Sequence, residues 1–284
     1  SGIVEKAGAG VKKVRPGDHV VLTWIKGSGK DIPSSAYKKN DGALVNSGAI
    51  STFLTKAIVS ENRLVKIIQE MPLREAALLG CAIPTGAGIV FNTAKVQRED
   101  SISVFVFGVL GMSAILAADS LGVNRIIAVD ILEDKLMLAR ALGATHTICA
   151  SNPGTLAAIY NLTDGRGVDY AIECAGALNA METAFQSVRD RGGLCIVAGN
   201  VPHGGLISLN PFDLIKGKRI VGTWGGETDP DRDIPRYVNL FLSGRLKLEK
   251  IPTQDFSLRD INLACQALEN GKTGRAIIDL SQTK

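Results

Sequence analysis

The sequence predicts an α/β chain built on a doubly wound parallel sheet, with β-rich segments before and after it. Three observations predict this. From Ser101 to about Trp224, short apolar runs alternate with helical periodicity: "SISVFVF", "GMSAILAADSLG", "RIIAVDI", "LEDKLMLARALG", "HTICA", "TLAAIYNLT", "VDYAIECAG", "LNAMETAFQSVRD", "GLCIVAG". Parallel neighbours require a crossover, so this alternation implies parallel strands with helices on both faces. The texture also changes near residue 83 and again near 225. Finally, 284 residues with 45% hydrophobic content can bury a sizeable core, and such a length suggests about two domains.

Taken in order, residues 1–82 hold β-like runs at Gly2–Glu5, His19–Thr23 and Ile50–Val59. Pro16-Gly17-Asp18 makes the turn into the second run, the polar stretch Ile25–Ser47 reads as loop, and "LREAALLG" reads as helix. The chain opens on Ser1, without an initiator Met and already inside a β pattern, which suggests truncation at the N-terminus. "FVFGVLGMSAILAADSLGVNRIIAVD", Phe105 to Asp130, follows as an apolar strand, a glycine turn, an amphipathic helix and a second strand ending on an acid. The tail holds two helices, "IPRYVNLFLSG" and "LRDINLACQALENG", and a closing strand, "RAIIDL". No long-range repeat or low-complexity tract interrupts this order.

The charge balance, 32 basic against 28 acidic residues for a net +4, is too mild and dispersed for a nucleic-acid partner. Lys12-Lys13 and Lys38-Lys39 read as solvated faces. No apolar run approaches the ~18 residues of a membrane span and no secretory leader is read at the start of the chain, so no membrane partner is expected. Cys81, Cys149, Cys174, Cys195 and Cys265 are odd in number and widely spaced. That argues against a disulfide framework and suits a cytoplasmic location.

The glycine turn carries the first chemistry. In G-x-G-x-x-G the first glycine makes the tight turn, the second lets backbone approach a pyrophosphate, and the third lets helix pack on strand. Gly108 and Gly111 fill the second and third places, and Val106 stands in the first. A β-branched residue resists positive φ. Either the turn asks only for β-region angles there, or the pyrophosphate loop is slightly displaced and binding weakened. Asp130 follows Gly111 by 130 − 111 = 19 residues, against about 20 for the ribose-binding acid. Its carboxylate can accept from both ribose hydroxyls and repels a 2′-phosphate, which favours NAD over NADP. Lys135, one helical turn on, either reaches the same ribose or faces solvent. The bland alternatives are an ordinary strand-to-helix turn and a surface acid at a strand end.

"ALLGCAIPTGAGIVFNTAKV", "GVDYAIECAG", "ISLNPFDLIKGKRIVGTWGG" and "DIPRYVNLFLSGRLKLEKIP" through "GKTGRAIIDL" resemble the zinc-dependent alcohol dehydrogenases of the medium-chain dehydrogenase/reductase superfamily. The resemblance covers nearly the whole chain. It implies a Rossmann-type NAD-binding domain at 83–224, flanked by a partial, discontinuous GroES-like catalytic domain at 1–82 with its return at 225–284. It implies hydride transfer between a small alcohol and its aldehyde or ketone, with NAD as cofactor. It also implies a homo-oligomer paired through the last strand, "KRIVGTW". Residue by residue, Cys81 falls at the last catalytic-zinc ligand position and Thr85 at the nicotinamide. Gly108, Gly111, Asp130 and Lys135 fall at coenzyme positions. Cys174, Ala175, Ala198 and Asn200 match strand ends lining the adenosine and the nicotinamide ribose, and Arg275 a pyrophosphate-binding arginine. Without the family, Cys81 reads as a buried small hydrophobe.

The departures matter equally. The family's first zinc cysteine, its proton-relay hydroxyl and its Gly-His-Glu segment fall before Ser1, so no complete catalytic set is expected here. His19, His146 and His203 do not pair with Cys81 at a ligand-like spacing. The stretch Ile25–Ser47, where the family's structural zinc lobe falls, contains no cysteine. Zinc is therefore expected in the intact parent and not in this chain, which is expected to be inactive as it stands. A zinc-free NAD(P)H-dependent reductase of the same superfamily and a non-catalytic dinucleotide-binding protein are the rival readings.

Overall fold

The computed structural model describes every residue except 34, 35, 47, 107, 271–273 and 282–284. Phe107 at the end of the first expected Rossmann strand, Ser47 at the end of the polar stretch and Gly271 at the end of the last expected helix thus lie outside the described residues. The chain divides into two units: residues 1–81, 229–244 and 251–284 form one, and residues 82–228 and 245–250 the other.

The first unit begins with β1 (Gly2–Ile3), β2 (His19–Leu22), β3 (Ala36–Lys38), β4 (Leu44–Asn46) and β5 (Leu64–Ile67). β1, β2 and β5 form an antiparallel sheet, with Val20 opposite both Gly2 and Lys66. Val14, Val20 and Leu64 are its buried centre, with Val4, Val11 and Leu22 packed against them. Glu61, just before β5, ties down two loops. Its Oε2 accepts from the backbone N–H of Lys30 (2.9 Å), and its Oε1 from those of Lys12 (2.6 Å) and Lys13 (2.7 Å). A short helix α1 (Leu73–Ala76) continues as a 3₁₀ turn over Ala77–Gly80, within the expected helical segment.

Two expectations fail in this unit. Residues 50–59 form no strand: Phe53 and Ile58 are exposed, and the N–H of Ile58 donates to the Tyr37 hydroxyl (3.1 Å). Its apolar residues Phe53 and Ile58 face outward rather than into a core, and a side chain takes the Ile58 donor. The stretch expected to be loop instead contains the β3–β4 hairpin. Its turn closes through Lys39 N–H to the Ala43 carbonyl (2.9 Å), with Gly42 at φ +85. Asp-Gly between two short runs is the residue pair such a turn favours.

The second unit runs α2 (Ala82–Gly88), β6 (Ser101–Phe105), α3 (Val109–Ser120), β7 (Arg125–Asp130), α4 (Glu133–Ala141) and β8 (His146–Cys149). It continues with α5 (Thr155–Leu162), β9 (Tyr170–Glu173), α6 (Leu178–Ser187), β10 (Leu194–Val197), α7 (Pro211–Ile215) and β11 (Arg219–Gly222). The six strands are all parallel, in the order β11-β10-β9-β6-β7-β8. Numbered within the sheet and read from the β8 edge, that is 3-2-1-4-5-6, the Rossmann order, whose strand direction of travel reverses between β6 and β9. Ligands of such sheets bind outside the strands' C-terminal ends at that reversal.

One face of the sheet, including Phe105, Ile127, Val129, Ala171 and Cys195, packs with Ile159 of α5 and Phe185 of α6. α3 differs from the amphipathic helix expected. Met112, Ala114, Ile115, Leu116, Ala117 and Ala118 are all buried, so it is apolar all round. The cause is α2, which covers its other side: a Cβ on Gly86 would lie 2.6 Å from the Ser113 Cβ and collide with the Leu110 carbonyl. A helix hydrophobic on every side is one covered on every side.

The tail is split. α8 (Pro230–Leu242) starts earlier than expected, because Asp229 caps it by accepting from Asp231 N–H (3.1 Å) and Pro230 takes the first turn. Residues 245–250 join the Rossmann unit. There Arg245 donates to the Ser120 carbonyl (3.2 Å) and Lys250 to the Ala141 carbonyl (2.9 Å), each at a helix C-terminus that favours a cation. Strand β12 (Thr253–Ser257), helix α9 (Ile261–Glu269) and strand β13 (Arg275–Asp279) close the chain as a parallel βαβ unit. No helix among the described residues is by itself long and apolar enough to cross a membrane.

Candidate cofactor site

The turn after β6 is built by backbone contacts. Val106 extends the strand: its N–H donates to the Val129 carbonyl (2.9 Å), its side chain is buried, and its φ is not positive. Val106 thus takes ordinary strand backbone and needs no left-handed angle, the first of the two alternatives for a β-branched residue at this place. Gly108 caps α3 in extended backbone, and a Cβ there would meet no protein atom within 4 Å. Gly111 is the opposite case. A Cβ on it would lie 3.1 Å from Val106 Cα and 3.5 Å from Cys174 Cβ, so glycine here sets the helix-to-strand approach. Protein packing explains Gly111 and not Gly108, whose missing Cβ leaves the N-terminus of α3 open, as a pyrophosphate's approach requires.

Asp130 ends β7 and is buried, with Oδ1 accepting from Leu132 N–H (3.0 Å) and Oδ2 making no hydrogen bond among the described residues. Burial holds its carboxyl above the ordinary range, opposed by the Leu132 and Ile131 N–H groups and the Lys135 charge. Lys135 stands in the first turn of α4, half-buried, near enough for that charge to act. A buried acceptor left unmatched is destabilising unless something outside the protein fills it.

The ends of β9 and β10 bring Cys174, Ala175, Ala198 and Asn200 together around Glu173, which the sequence reading passed over. Glu173 Oε1 accepts from Ala175 N–H (2.8 Å) and Gly176 N–H (2.7 Å), and its backbone carbonyl from Ala198 N–H (2.9 Å) and Gly199 N–H (3.1 Å). Gly176, at φ +70, lies against the Asn200 backbone. Burial and the neighbouring Glu173 charge push the Cys174 thiol far up, and Cys195 to about 12, so neither is a thiolate nucleophile.

Comparisons with known proteins show the family and the fold. The family model described as zinc-binding dehydrogenase matches residues 109–243. The Schizosaccharomyces pombe protein named Probable S-(hydroxymethyl)glutathione dehydrogenase 1 is 32% identical over 99% of this chain and 81% of its own length. The class-3 alcohol dehydrogenase of Pisum sativum is 31% identical over 98% of this chain and 80% of its own. This chain belongs to the zinc-dependent alcohol dehydrogenases. The benzyl alcohol dehydrogenase of Acinetobacter calcoaceticus superposes with a TM-score of 0.87 at 32% identity, over 98% of this chain and 81% of that one. The fold is accordingly that of a medium-chain dehydrogenase, an oxidoreductase family that uses a nicotinamide dinucleotide and zinc.

Within this dehydrogenase, Thr85 lies on α2, where its carbonyl would collide with a Cβ on Gly226, a residue at φ +67. Thr228 Oγ1 donates to the Pro84 carbonyl (2.9 Å), so "PTGAG" and Gly225-Gly226 meet backbone to backbone. The glycines on both sides were visible in the sequence, but their partnership was not. Cys81 and Arg275 belong to the other unit. Cys81 is exposed, where the sequence without the family suggested a buried hydrophobe, and Arg275 opens β13. No disulfide joins the five cysteines. Among the described residues, no three His, Cys, Asp or Glu side chains gather into a group that could hold a metal ion. The donors present thus fit a dinucleotide and do not fit a catalytic zinc.

Proposed function

We propose that this alcohol dehydrogenase is NAD-dependent, interconverting a small alcohol with its aldehyde or ketone, and that the chain as it stands binds cofactor without turning alcohols over. The observation that carries the cofactor choice is Asp130 Oδ2, buried at the end of β7 and making no hydrogen bond among the described residues. A ribose diol donates to such an oxygen, whereas a 2′-phosphate brings a second negative charge against it. Bound there, the nicotinamide dinucleotide supplies the hydride acceptor. The chain's own residues position it. Gly108 leaves the α3 N-terminus open to a pyrophosphate, Gly111 holds that helix close to β6, and Lys135 balances the Asp130 charge. The second half of the proposal rests on the donor set. A catalytic zinc needs about three protein ligands, and no three His, Cys, Asp or Glu side chains among the described residues form such a group. The exposed edge of β11, with Trp224 82% exposed beside it, supports a homo-oligomer, and thiols without disulfides suit a cytoplasmic setting.

Titration of NADH and NADPH into wild type and Asp130→Gly tests the cofactor assignment. Wild type should favour NADH by about tenfold or more, and Asp130→Gly should bring the two within about threefold, because the repelling charge is gone. Tighter NADPH binding by wild type would refute it and favour the zinc-free reductase reading.

A further inference from the structure

Glu173 is a wholly buried carboxylate, at 0% exposure, that the proposed hydride transfer does not use. It is the last residue of β9, in register with Phe105 of β6 and Val197 of β10, so it stands where the strand order reverses. Through its side chain it holds the Ala175 and Gly176 N–H groups, and through its carbonyl those of Ala198 and Gly199. The turns so held touch one another: a Cβ on Gly199 would lie 2.6 Å from Gly176 Cα and 2.8 Å from Glu173 Oε2. Among the described residues Oε2 makes no hydrogen bond of ordinary geometry, although the Ala177 and Gly199 N–H groups lie near enough to favour the ionised carboxylate. Burial raises the Glu173 pKa despite these N–H groups, so the carboxylate is costly to bury, and an apolar residue of like size fills a core at least as well. What an apolar residue cannot do is grip two N–H groups and fix the spacing of two turns.

We propose that Glu173 is a positioning residue for the half of the cofactor site built by β9–β11, setting affinity for the part of the dinucleotide lodged there. The inference rests on the dinucleotide reading above. In this fold each βαβαβ half takes one mononucleotide. Asp130 belongs to the β6–β8 half and the Glu173 turns to the other, so loosening Glu173 should weaken a whole dinucleotide and spare a mononucleotide held at Asp130.

Calorimetric titration of NADH and AMP into wild type, Glu173→Asp and Glu173→Gln tests this, with thermal unfolding to verify the fold. Glu173→Asp keeps the charge but retracts the carboxylate from Ala175 and Gly176; Glu173→Gln keeps the accepting oxygen in place. The aspartate variant should lose about tenfold in NADH affinity with AMP within about twofold, and the glutamine variant should hold both within about threefold. Wild-type NADH affinity in Glu173→Asp, or an equal loss for AMP, would overturn the proposal, the second by showing a merely structural role. If Glu173→Asp does not fold, Glu173→Gln decides, because a tenfold NADH loss with the acceptor retained also overturns it. Uptake of neither ligand by wild type would instead bring down the dinucleotide reading, and this inference with it.

Discussion

Glu61 and Asp130 are both buried acids near strand ends, yet their environments push them in opposite directions. The Lys30, Lys12 and Lys13 N–H groups hold Glu61 down at about 2, whereas burial with one unmatched oxygen holds Asp130 up. A carboxylate whose folded pKa lies below its unfolded value stabilises the fold above the unfolded pKa, and that contribution is lost as pH falls through the folded one. Wild type should therefore lose thermal stability between the ordinary 4.5 and about 2. Glu61→Gln should melt lower than wild type at neutral pH and show a smaller drop across that window; unfolding curves at neutral and acid pH check it, and an unchanged neutral melting temperature would refute it. Asp130 was legible in the sequence because its evidence is local: a strand end, a glycine turn and the spacing between them. Glu173 was not, because an acid closing "VDYAIE" looks the same whether it faces water or the ends of two neighbouring strands.

At the scale of elements, the glycine turn shows what spacing alone leaves open. Val106 is only 2% exposed and continues β6 with no positive φ, so it is a packing residue of the strand end. Val106→Gly should accordingly lower stability by about 3 kcal/mol through lost burial and added chain entropy. NADH affinity should stay within about twofold, since Val106 has no positive φ for a glycine to relieve. Thermal unfolding and an NADH titration measure both, and a clear gain in affinity would show that the turn is strained after all. The alternation of strand and helix from 101 to 224 was readable because each element is long enough to show its period. The β3–β4 hairpin was missed because its strands are three residues each, too short for a period, and only Asp41-Gly42 marked it. The run over 50–59 misled for the converse reason: it has apolar residues of strand type, but Phe53 and Ile58 stay exposed and the run forms no strand.

At the scale of the whole molecule, native mass spectrometry tests two expectations together. The chain should associate through the exposed β11 edge and carry well under one zinc per protomer, because about three protein ligands are needed and no such group is present among the described residues. A stoichiometric zinc that survives a chelator, or a strict monomer at micromolar concentration, would overturn the corresponding half. The fold class, and the places of Gly108 at the start of α3 and Asp130 at the end of β7, were legible in the sequence alone, since periodicity, turn chemistry and spacing are local properties of a chain. Which strand lies beside which, that α3 is covered by α2, that Val106 needs no left-handed backbone and that Glu173 binds two turns together were decided only by the tertiary structure. Burial and hydrogen-bond satisfaction belong to neighbours far apart in sequence, and no local pattern records them.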